Sequence, residues 1–488
     1  MTVAKRLAHV TNELGPCFVR YIIDFKLKTD PTGMNDNNKN SNNNDDDGSN
    51  GSNDMIALQK QHATHLRQAL TNLGPAFVKA GQQLSIRPDL VPAAALKELQ
   101  RLCDAVQPVP DEVALRTIRE ELQCDDLSTI FADLHLVASA SLGQVYKATL
   151  VETGEQVAIK VQRPGMLQSF SLDLFLLQLL GEVMDGFVTT FTKQAPYHRD
   201  LFNTFAMGSY SELDYDNEAA NQLLFRRELS QRGCRVKIPN VYLQHTTQRV
   251  LTTEWIDGVR LADASRERIR QLIPDGVELF LIQLLDIGMF HSDPHPGNLY
   301  VTDDGHGDSV LCLLDFGLCA EVDKKARRAM TKAIVHLLTG DFDALVAEDA
   351  KELGFLPDDL DTDELKPILK TILTKGLLES GSDLHRRKRK LMEISNELND
   401  VFFNYPFSVP PFFALVTRGL GLLEGIAISG DPDFDIFRAS MPYATRRAME
   451  MMGTHVQKQG MGRWWWSSSS LRKPSLAILE EQNHNPNQ

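Results

Sequence analysis

The spacing of apolar residues divides the chain into a helical beginning, a short strand-rich part and a long, mainly helical remainder. Over residues 58–122 the apolar positions recur at helical spacing and are interrupted by prolines, which predicts several short helices. The next part is rich in β-formers, with the turn-like Glu152-Thr153-Gly154-Glu155 between two of its runs. Three antiparallel strands are predicted there, over residues 136–140, 144–151 and 156–162.

The pattern after residue 162 predicts mostly helix. The predicted elements are helices over 168–190 and 196–231, a strand over 249–256 and, within a helical region from Gly258 to about residue 450, strands over 299–302 and 310–314. A small strand-rich unit followed by a larger helical one, with Trp255-Ile256-Asp257-Gly258 between them, predicts two lobes joined by a hinge. In such an architecture a ligand is expected in the cleft.

The composition is that of a globular protein without the charge of a nucleic-acid-binding protein. Of the 488 residues, 42% are hydrophobic and 24% are charged, which is ordinary for a folded chain. The 51 Lys+Arg residues are outnumbered by 65 Asp+Glu, so the net charge is −14 and nucleic acid is not an expected partner. No apolar run reaches the ~18 residues of a membrane-spanning helix, so no transmembrane span is expected.

Two segments near the start of the chain depart from this pattern. Residues 1–28 have more basic than acidic side chains and weakly resemble a transit peptide. Residues 33–54 are almost wholly Asn, Asp, Ser and Gly, which predicts a disordered linker. The predicted organisation is an N-terminal segment 1–57 that contains the linker, a helical extension 58–135, a strand-rich lobe 136–257, a helical lobe 258–440 and a tail 441–488.

Two motifs in the predicted sheet are typical of protein kinases. Val157-Ala158-Ile159-Lys160 is the V-A-I-K sequence whose lysine contacts ATP phosphates, and a loop precedes it in the register of the kinase glycine-rich turn. Ala138 and Ala140 replace the first two glycines of that turn, so a stiffer loop with a different phosphate geometry is expected. The residues predicted to contact the nucleotide are Ala138, Ser139, Ala140, Ser141, Leu142, Gly143, Val145 and Lys160, together with Glu254 and Ile256 before the hinge.

The catalytic and metal-binding residues of kinases have counterparts farther along the chain. His291-Ser292-Asp293-Pro294-His295-Pro296-Gly297-Asn298 has the pattern H-x-D-x-x-x-x-N, in which the aspartate accepts a proton from the attacking hydroxyl and the asparagine binds a metal ion. Asp315-Phe316-Gly317 is the D-F-G motif, whose aspartate can bridge Mg²⁺ to the phosphates. Each motif alone is more often a cap or a plain turn, but their order predicts a nucleotide site. We expect Asp293 and Lys160 to act in catalysis, Asn298 and Asp315 to bind Mg²⁺, and ATP or ADP to be the nucleotide.

An acidic helical segment offers the glutamate that a kinase lysine needs. Glu218 and Asn221 share one helical face, and Glu212 and Asp214 lie off it, so two separate roles are predicted. Alternatively, Glu212 and Asp214 belong to a solvated acidic face. Ser292 stands where ordinary protein kinases have an arginine, and a helical pattern soon follows the D-F-G motif. Little platform for a peptide substrate is therefore expected.

In this order, the motifs resemble the UbiB/ADCK (ABC-one) family of atypical protein-kinase-like proteins. The resemblance covers about residues 66–435 and includes Lys79-Ala80-Gly81-Gln82, which resembles the family's K-x-G-Q signature, and Glu212-Leu213-Asp214-Tyr215. It implies an α+β fold, bilobal and protein-kinase-like, with an N-terminal helical extension that folds over the cleft. Ser139 and Gly143 depart from the family's usual loop.

The resemblance also implies roles for residues outside an ordinary kinase core. Lys79, Gly81 and Gln82 would belong to a lid at the place where a peptide would otherwise dock. In this lid Lys79 and Gln82 would meet Glu212 and Asp214. Glu218 would pair with Lys160.

The function implied by the resemblance is that of an ATPase or unorthodox phosphotransferase that supports isoprenoid-quinone or other prenyl-lipid metabolism. A nucleotide, a lipid or quinone precursor and a membrane surface are the expected partners, in a plastid or mitochondrion, with the protein soluble or peripheral. Two alternatives stay open. One is a small-molecule phosphotransferase of the aminoglycoside- or choline-kinase type, which Lys79 to Gln82 disfavours, and the other is a nucleotide-binding scaffold without turnover, which the complete motif set disfavours.

Overall fold

The computed structural model describes residues 3–29, 48–84, 96, 98–103, 108–191, 198–292, 296–303, 305, 307–339, 341–373 and 411–452. The helices are α1 (Val3–Thr29), α2 (Gly48–Leu73), α3 (Pro75–Leu84), α4 (Asp111–Leu122), α5 (Met166–Phe191), α6 (His198–Glu212), α7 (Tyr215–Gln231), α8 (Arg266–Leu281), α9 (Lys324–Thr339), α10 (Phe342–Ala344), α11 (Ala350–Glu352), α12 (Leu365–Leu373), α13 (Pro411–Gly430) and α14 (Ile436–Met452). The strands are β1 (Phe131–Ser139), β2 (Gly143–Leu150), β3 (Gln156–Gln162), β4 (Val236–Lys237), β5 (Val250–Glu254), β6 (Gly258–Arg260), β7 (Met289–His291), β8 (Leu299–Asp303), β9 (Ser309–Leu313) and β10 (Cys319–Glu321).

The chain divides into two compact units, and the main division lies between Asp257 and Gly258, at the predicted hinge. The first unit comprises Met1–Arg227, Ile238–Asp257 and Leu314–Leu318. The second comprises Glu228–Lys237, Gly258–Leu313 and Cys319–Gln488. The helices before the sheet therefore group with the sheet rather than forming a unit of their own, and the D-F-G segment groups with them.

An antiparallel sheet in the order β1-β2-β3-β5 forms the strand-rich part of the first unit. Its alternating side chains bury Tyr146, Ile159 and Val250 on one face, where α4 contributes Ile118. The three predicted strands are confirmed, although β1 begins earlier, at Phe131. Register shifts within β1 explain the difference, because they interrupt the strict alternation from which strands are predicted.

A second apolar core lies among the helices of the first unit. Phe77 of α3 and Phe170 of α5 belong to it, and Leu142 joins it from the loop before β2. α1 is attached to this core by a buried ion pair, in which Arg6 Nε lies 2.6 Å from Asp173 Oδ1. The loop predicted to contact nucleotide is thus continuous with a helical core.

Two helical boundaries differ from the sequence pattern. α2 begins at Gly48, inside the predicted disordered linker. Residues 33–47 of that linker lie outside the described part of the chain. The helix predicted over 196–231 is two helices, because Asp214 starts α7 by accepting hydrogen bonds from the amides of Asp216 and Asn217 at 3.2 and 3.4 Å. This break separates Glu212 from Glu218.

The second unit contains a sheet in the order β4-β9-β8-β6 and a two-stranded pair of β7 and β10. α8 lies against α13 and α14, and Phe280 of α8 packs so closely on Gly419 of α13 that no side chain fits there. α8 ends in a π-helical turn over Ile282–Ile287, which leads through Gly288 into β7. β7 carries His291, the first residue of the predicted catalytic motif.

Candidate functional site

Lys160 lies in the middle of β3, with Val145 of β2 and Leu251 of β5 as its neighbours across the sheet. Its Nζ atom lies 2.9 and 2.8 Å from the carboxylate oxygens of Glu218 on α7 and 3.4 Å from Oδ2 of Asp315. The Glu218 side chain is 3% exposed, whereas that of Asp315 is 45% exposed. The ammonium is therefore held by one buried carboxylate and one that reaches solvent.

The charges of these three groups change one another's pKa. Burial alone would lower the pKa of Lys160, but Asp315 and Glu218 raise it well above the ordinary value. Burial raises the pKa of Glu218 to about 7, with Lys160 opposing the rise and Asp315 adding to it. One ammonium faces two carboxyl groups, so the cluster favours a further cation beside the exposed oxygen of Asp315.

The D-F-G segment is anchored to α7. Asp315 has a φ angle of 61°, rare for a residue with a side chain, and its Oδ1 atom accepts a hydrogen bond from the amide of Gly317 at 3.1 Å. Phe316 is fully buried against Phe225, and its carbonyl accepts a hydrogen bond from Asn221 at 3.1 Å. Left-handed residues of this kind concentrate at functional sites. One face of α7 thus makes two contacts with the site. Glu218 binds Lys160, and Asn221 binds the backbone of the D-F-G segment.

Tyr215, the first residue of α7, links the lysine to the predicted phosphate loop. Its ring centre is 5.1 Å from Nζ of Lys160. A Cβ atom built on Gly143 would lie 2.7 Å from the Tyr215 hydroxyl and 2.5 Å from the carbonyl oxygen of Val161. No side chain fits at Gly143. This explains why the third glycine of the kinase turn is present here, although alanines replace the first two.

Arg163 holds the predicted phosphate loop in place. Its guanidinium donates hydrogen bonds to the Ser139 hydroxyl at 2.8 Å and to the Ala140 carbonyl at 3.2 Å, and its amide donates to the Leu142 carbonyl at 3.0 Å. The amide of Ala140 donates to the carbonyl of Gly143 at 2.8 Å. The sequence analysis did not identify Arg163 and Tyr215 as site residues. For Arg163, the available signal was a charged residue directly after β3.

The residues of this loop differ in exposure. Ala138 and Ala140 are exposed, Ser139, Ser141 and Val145 are half-buried, and Leu142 and Gly143 are buried. The exposed alanines lie where the first two kinase glycines would be.

The K-x-G-Q segment on α3 contacts the end of α6. Nζ of Lys79 lies 2.6 Å from Oε2 of Glu212, and both side chains are 11% exposed. Gly81 packs against Leu70 and Leu102, which leave no room for a side chain. This ion pair is shielded from water, unlike the solvated face that was the alternative for Glu212.

Gln82 and Asp214 also belong to the implied lid. The amide of Gln82 donates to the carbonyl of Leu102 at 3.1 Å, and the carboxylate of Asp214 caps α7. Asp214 satisfies the free amides at the start of a helix, which a nearby carboxylate does most directly. Among the implied lid contacts, that of Lys79 with Glu212 is observed, and the roles of Gln82 and Asp214 in a lid stay a prediction.

The residues before the hinge are fixed by backbone contacts. Oε2 of Glu254 accepts a hydrogen bond from the amide of Asn240 at 3.2 Å, and Ile256 is half-buried. The backbone amide of Trp255 donates a hydrogen bond to the carbonyl of Gln156 at 3.0 Å. The role of Glu254 and Ile256 in nucleotide binding stays a prediction.

The H-x-D motif lies in the second unit. Asp293 lies outside the described residues. His291 is buried in β7 and Asn298 is 5% exposed, directly before β8. The backbone amide of His291 donates to the side chain of Gln283 at 2.9 Å, a contact that the sequence pattern did not predict.

The oxygen donors of Asp315 and Asn298 are of the type that binds magnesium. Within the described ranges, no group of three or more His, Cys, Asp or Glu side chains could hold a metal ion. Mg²⁺ is commonly held by one or two carboxylates together with nucleotide phosphates and water. In the first unit, Asp315 supplies a half-exposed carboxylate next to an excess of negative charge, which fits an ion that is carried in with a nucleotide. In the second unit, Asn298 has an amide oxygen, which is also a hard donor.

One described helical stretch, Met166–Gly186 of α5, is long and apolar enough to cross a membrane. The sequence prediction expected no transmembrane span, because no uninterrupted apolar run of about 18 residues occurs in the sequence. Asp173 is 1% exposed and paired with Arg6, so its charge is compensated inside the protein. Core helices meet the same criterion, and 39% of this stretch is buried.

A strand lysine paired with a helix glutamate, followed by H-x-D and D-F-G motifs, defines a kinase-like protein. The solved structure of Rv3197 with erythromycin from Mycobacterium tuberculosis has the same fold, with a TM-score of 0.51 at 22% identity, over 78% of this chain and 95% of that one. The predicted α+β, kinase-like fold with an N-terminal helical region is confirmed.

Comparison of the sequence with family models identifies the family. A model of the ABC1 atypical kinase-like domain matches residues 101–348. The chain belongs to this family, as its motifs indicated.

Named relatives agree with this assignment. Protein ACTIVITY OF BC1 COMPLEX KINASE 3, chloroplastic, of Arabidopsis thaliana is 37% identical over 420 residues, which are 83% of this chain and 57% of the relative. An uncharacterized protein of Synechocystis is 36% identical over 410 residues, which are 82% of this chain and 69% of the relative. ACTIVITY OF BC1 COMPLEX KINASE 1, chloroplastic, of Arabidopsis thaliana is 35% identical, over 87% of this chain and 62% of its own length. The chain thus spans little more than half of some relatives that it matches.

Proposed function

We propose that this protein is an atypical kinase-like ATPase or unorthodox phosphotransferase that binds ATP or ADP with Mg²⁺. The observation that carries the proposal is the position of Lys160, whose ammonium is held by Glu218 and lies within 3.4 Å of Asp315. In kinases this arrangement orients the lysine toward nucleotide phosphates, with the D-F-G aspartate on the metal.

Each residue has a distinct role in this proposal. Lys160 compensates phosphate charge, and Glu218 fixes the direction of its side chain. Asp315 and Asn298 hold the magnesium ion, which when bound supplies positive charge at the phosphates. Asp293 accepts the proton of the attacking hydroxyl or water.

The acceptor is proposed to be a lipid-pathway molecule or water rather than a peptide. The shielded pair of Lys79 and Glu212 supports this, because it occupies a segment that ordinary kinases lack. The family resemblance supports a role in isoprenoid-quinone or other prenyl-lipid metabolism. The chloroplastic names of Arabidopsis relatives support a plastid location.

Phosphate release from ATP tests the activity directly. The protein is assayed with Mg²⁺, with EDTA, and with vesicles that contain anionic and quinone-precursor lipids. We expect Mg²⁺-dependent release that rises with the vesicles. Release that is unaffected by EDTA would overturn the metal assignment, and binding without any release would favour the scaffold alternative.

Asp315→Asn tests the metal role by removing a charge at nearly constant shape. It should abolish the thermal stabilisation by Mg²⁺-nucleotide and lower phosphate release by about 10²-fold or more, because the carboxylate is the metal donor. Asp363→Asn, at a carboxylate that is 79% exposed, is the matched control and should change neither. Undiminished stabilisation by Mg²⁺-nucleotide in Asp315→Asn would contradict the assignment.

A further inference from the structure

Of the two π-helical turns in the described part of the second unit, Ile282–Ile287 and Leu345–Asp349, the first determines where β7 begins. The turn ends at Gly288, which has a φ angle of 74° and donates its amide to the carbonyl of Gln283 at 2.9 Å. Turns of this type are rare and are frequent at functional sites. Here the turn directly precedes the strand that carries His291.

Gln283 connects this turn to both ends of β7. Its backbone carbonyl receives the Gly288 amide before the strand, and its side-chain oxygen receives the His291 amide at 2.9 Å. Gln283 is 3% exposed, so water does not compete for these bonds. The backbone position of His291 therefore depends on the conformation of the turn.

Asp286 is the residue of the turn that contacts other helices. Its carbonyl accepts a hydrogen bond from Nη1 of Arg327 on α9 at 2.7 Å. Its carboxylate accepts a hydrogen bond from the hydroxyl of Tyr443 and lies 2.8 Å from Nε of Arg447, both on α14. We call Tyr443, Arg447 and Asp286 the α14 clamp.

Tyr443 is buried, and its hydroxyl donates to the carboxylate of Asp286. Tyr443 is 6% exposed, and burial next to Asp286 raises the pKa of its phenol, so the hydroxyl stays a donor. Arg446, the neighbour of Arg447 on the same helix, meets Glu278 in a pair whose side chains are 59% and 41% exposed, and its guanidinium lies 4.9 Å from the centre of the Tyr443 ring. Arg446 therefore also contacts the clamp, whereas Arg438, near the start of α14, is exposed.

We propose that Tyr443 and Arg447 are positioning residues for the H-x-D motif, acting through Asp286 and the π-turn on the backbone of β7. The proposal rests on the function proposed above, in which this motif supplies the catalytic aspartate. Small displacements of a catalytic group lower turnover strongly without weakening ligand binding. Loss of the clamp should therefore affect kcat and spare KM.

The test uses the full chain with Tyr443→Phe, Asp286→Asn and Arg447→Lys, and with Arg438→Ala, at an exposed arginine of the same helix, as the matched control. Tyr443→Phe keeps the ring and its packing but removes the hydroxyl, so it separates the hydrogen bond from burial. We expect kcat for ATP hydrolysis to fall roughly 10-fold or more in Tyr443→Phe and Asp286→Asn, with KM for ATP within about twofold of wild type. Arg447→Lys should retain part of the turnover, since it keeps the charge, and Arg438→Ala should match wild type.

Hydrogen exchange of the amides of Gly288 and His291 is the second readout, and it does not depend on turnover. Both amides should exchange faster in Tyr443→Phe than in Arg438→Ala. Unchanged exchange, or faster exchange with wild-type kcat, would overturn the positioning role. If wild-type protein hydrolyses no ATP, the proposed function fails, and faster exchange would still support control of β7 by the clamp.

Discussion

Tyr215 has a hydroxyl that is fully buried and, within the described part of the chain, has no hydrogen-bond partner. A buried polar group without a partner costs about 1–3 kcal/mol. Tyr215→Phe removes that group and keeps the ring beside Lys160. We therefore expect this substitution to raise the free energy of unfolding by about 1 kcal/mol, measured by urea denaturation.

Tyr146 provides the matched control for that prediction. It is buried to a similar degree, but its hydroxyl donates to Asp111 at 2.8 Å and accepts from Gln144 at 3.1 Å. Tyr146→Phe should therefore lower the free energy of unfolding by about 1 kcal/mol. Destabilisation by both substitutions would show that the Tyr215 hydroxyl has a stabilising partner after all.

Glu218 should give the stability of the protein a specific pH dependence. Its pKa is raised from 4.5 to about 7 on folding. The folded protein then holds a proton that the unfolded chain releases, so this contribution to stability is full below pH ~4.5 and is lost as the pH rises toward ~7. Wild type should lose stability relative to Glu218→Gln over this interval, as followed by urea denaturation at several pH values. A difference that grows in favour of wild type would mean that Lys160 holds the carboxylate ionised.

Short motifs predicted some site residues and not others for a physical reason. Lys160 and Asp315 stand in local sequences whose residue types are required by phosphate and metal chemistry, so the chain itself reveals them. Arg163 and Tyr215 act through contacts that form only when the loop, β3 and α7 come together. Glu218 could be proposed because a helix repeats its face every three to four residues.

At the scale of elements, the ion pair of Lys79 and Glu212 joins α3 to the end of α6. Removing either partner deprives the other, largely buried charge of this ion pair, so Lys79→Ala and Glu212→Ala should each lower the free energy of unfolding by roughly 2 kcal/mol or more. The double substitution removes both charges and should cost less than the sum of the two. Thermal and urea unfolding of the four proteins measure this coupling.

The exposed pair of Arg199 and Glu182, with side chains 62% and 51% exposed, is the control for that cycle. Its coupling should be below about 1 kcal/mol, because water screens exposed charges. Additive effects of the Lys79 and Glu212 substitutions would show that α3 is held by its apolar contacts alone. In that case Phe77 and its neighbours carry the attachment.

Element boundaries were predicted well where one rule dominates and poorly where two compete. β3 is observed over Gln156–Gln162 as predicted, since alternating burial within a sheet sets its limits. The helix predicted over 196–231 is interrupted at Leu213, because capping by Asp214 prevails over a continuous helical pattern. The π-turn after α8 left no signal in the sequence pattern, and the partners of its residue Asp286 are distant in sequence.

At the scale of the whole molecule, the proposed site residues belong to different units. Lys160, Glu218 and Asp315 lie in the first, and His291 and Asn298 lie in the second. Because Asp293 is proposed to act on the nucleophile rather than on the metal, Asp293→Asn should retain thermal stabilisation by Mg²⁺-nucleotide while phosphate release falls roughly 10²- to 10⁴-fold, the range for loss of a general base. Asp315→Asn should lose both, and the pair of results distinguishes binding from proton transfer. Loss of nucleotide stabilisation in Asp293→Asn would contradict its role as the base.

The grouping of Leu314–Leu318 with the first unit has a consequence for synthesis of the chain on the ribosome. Phe316 fills the space beside Phe225, yet it is translated after β5 through β9. At roughly 5–20 residues per second, several seconds separate the appearance of β5 from that of Phe316. During this interval the nascent first unit lacks part of its interior, so it remains a substrate for chaperones until the segment Gly258–Leu313 of the second unit has also been made.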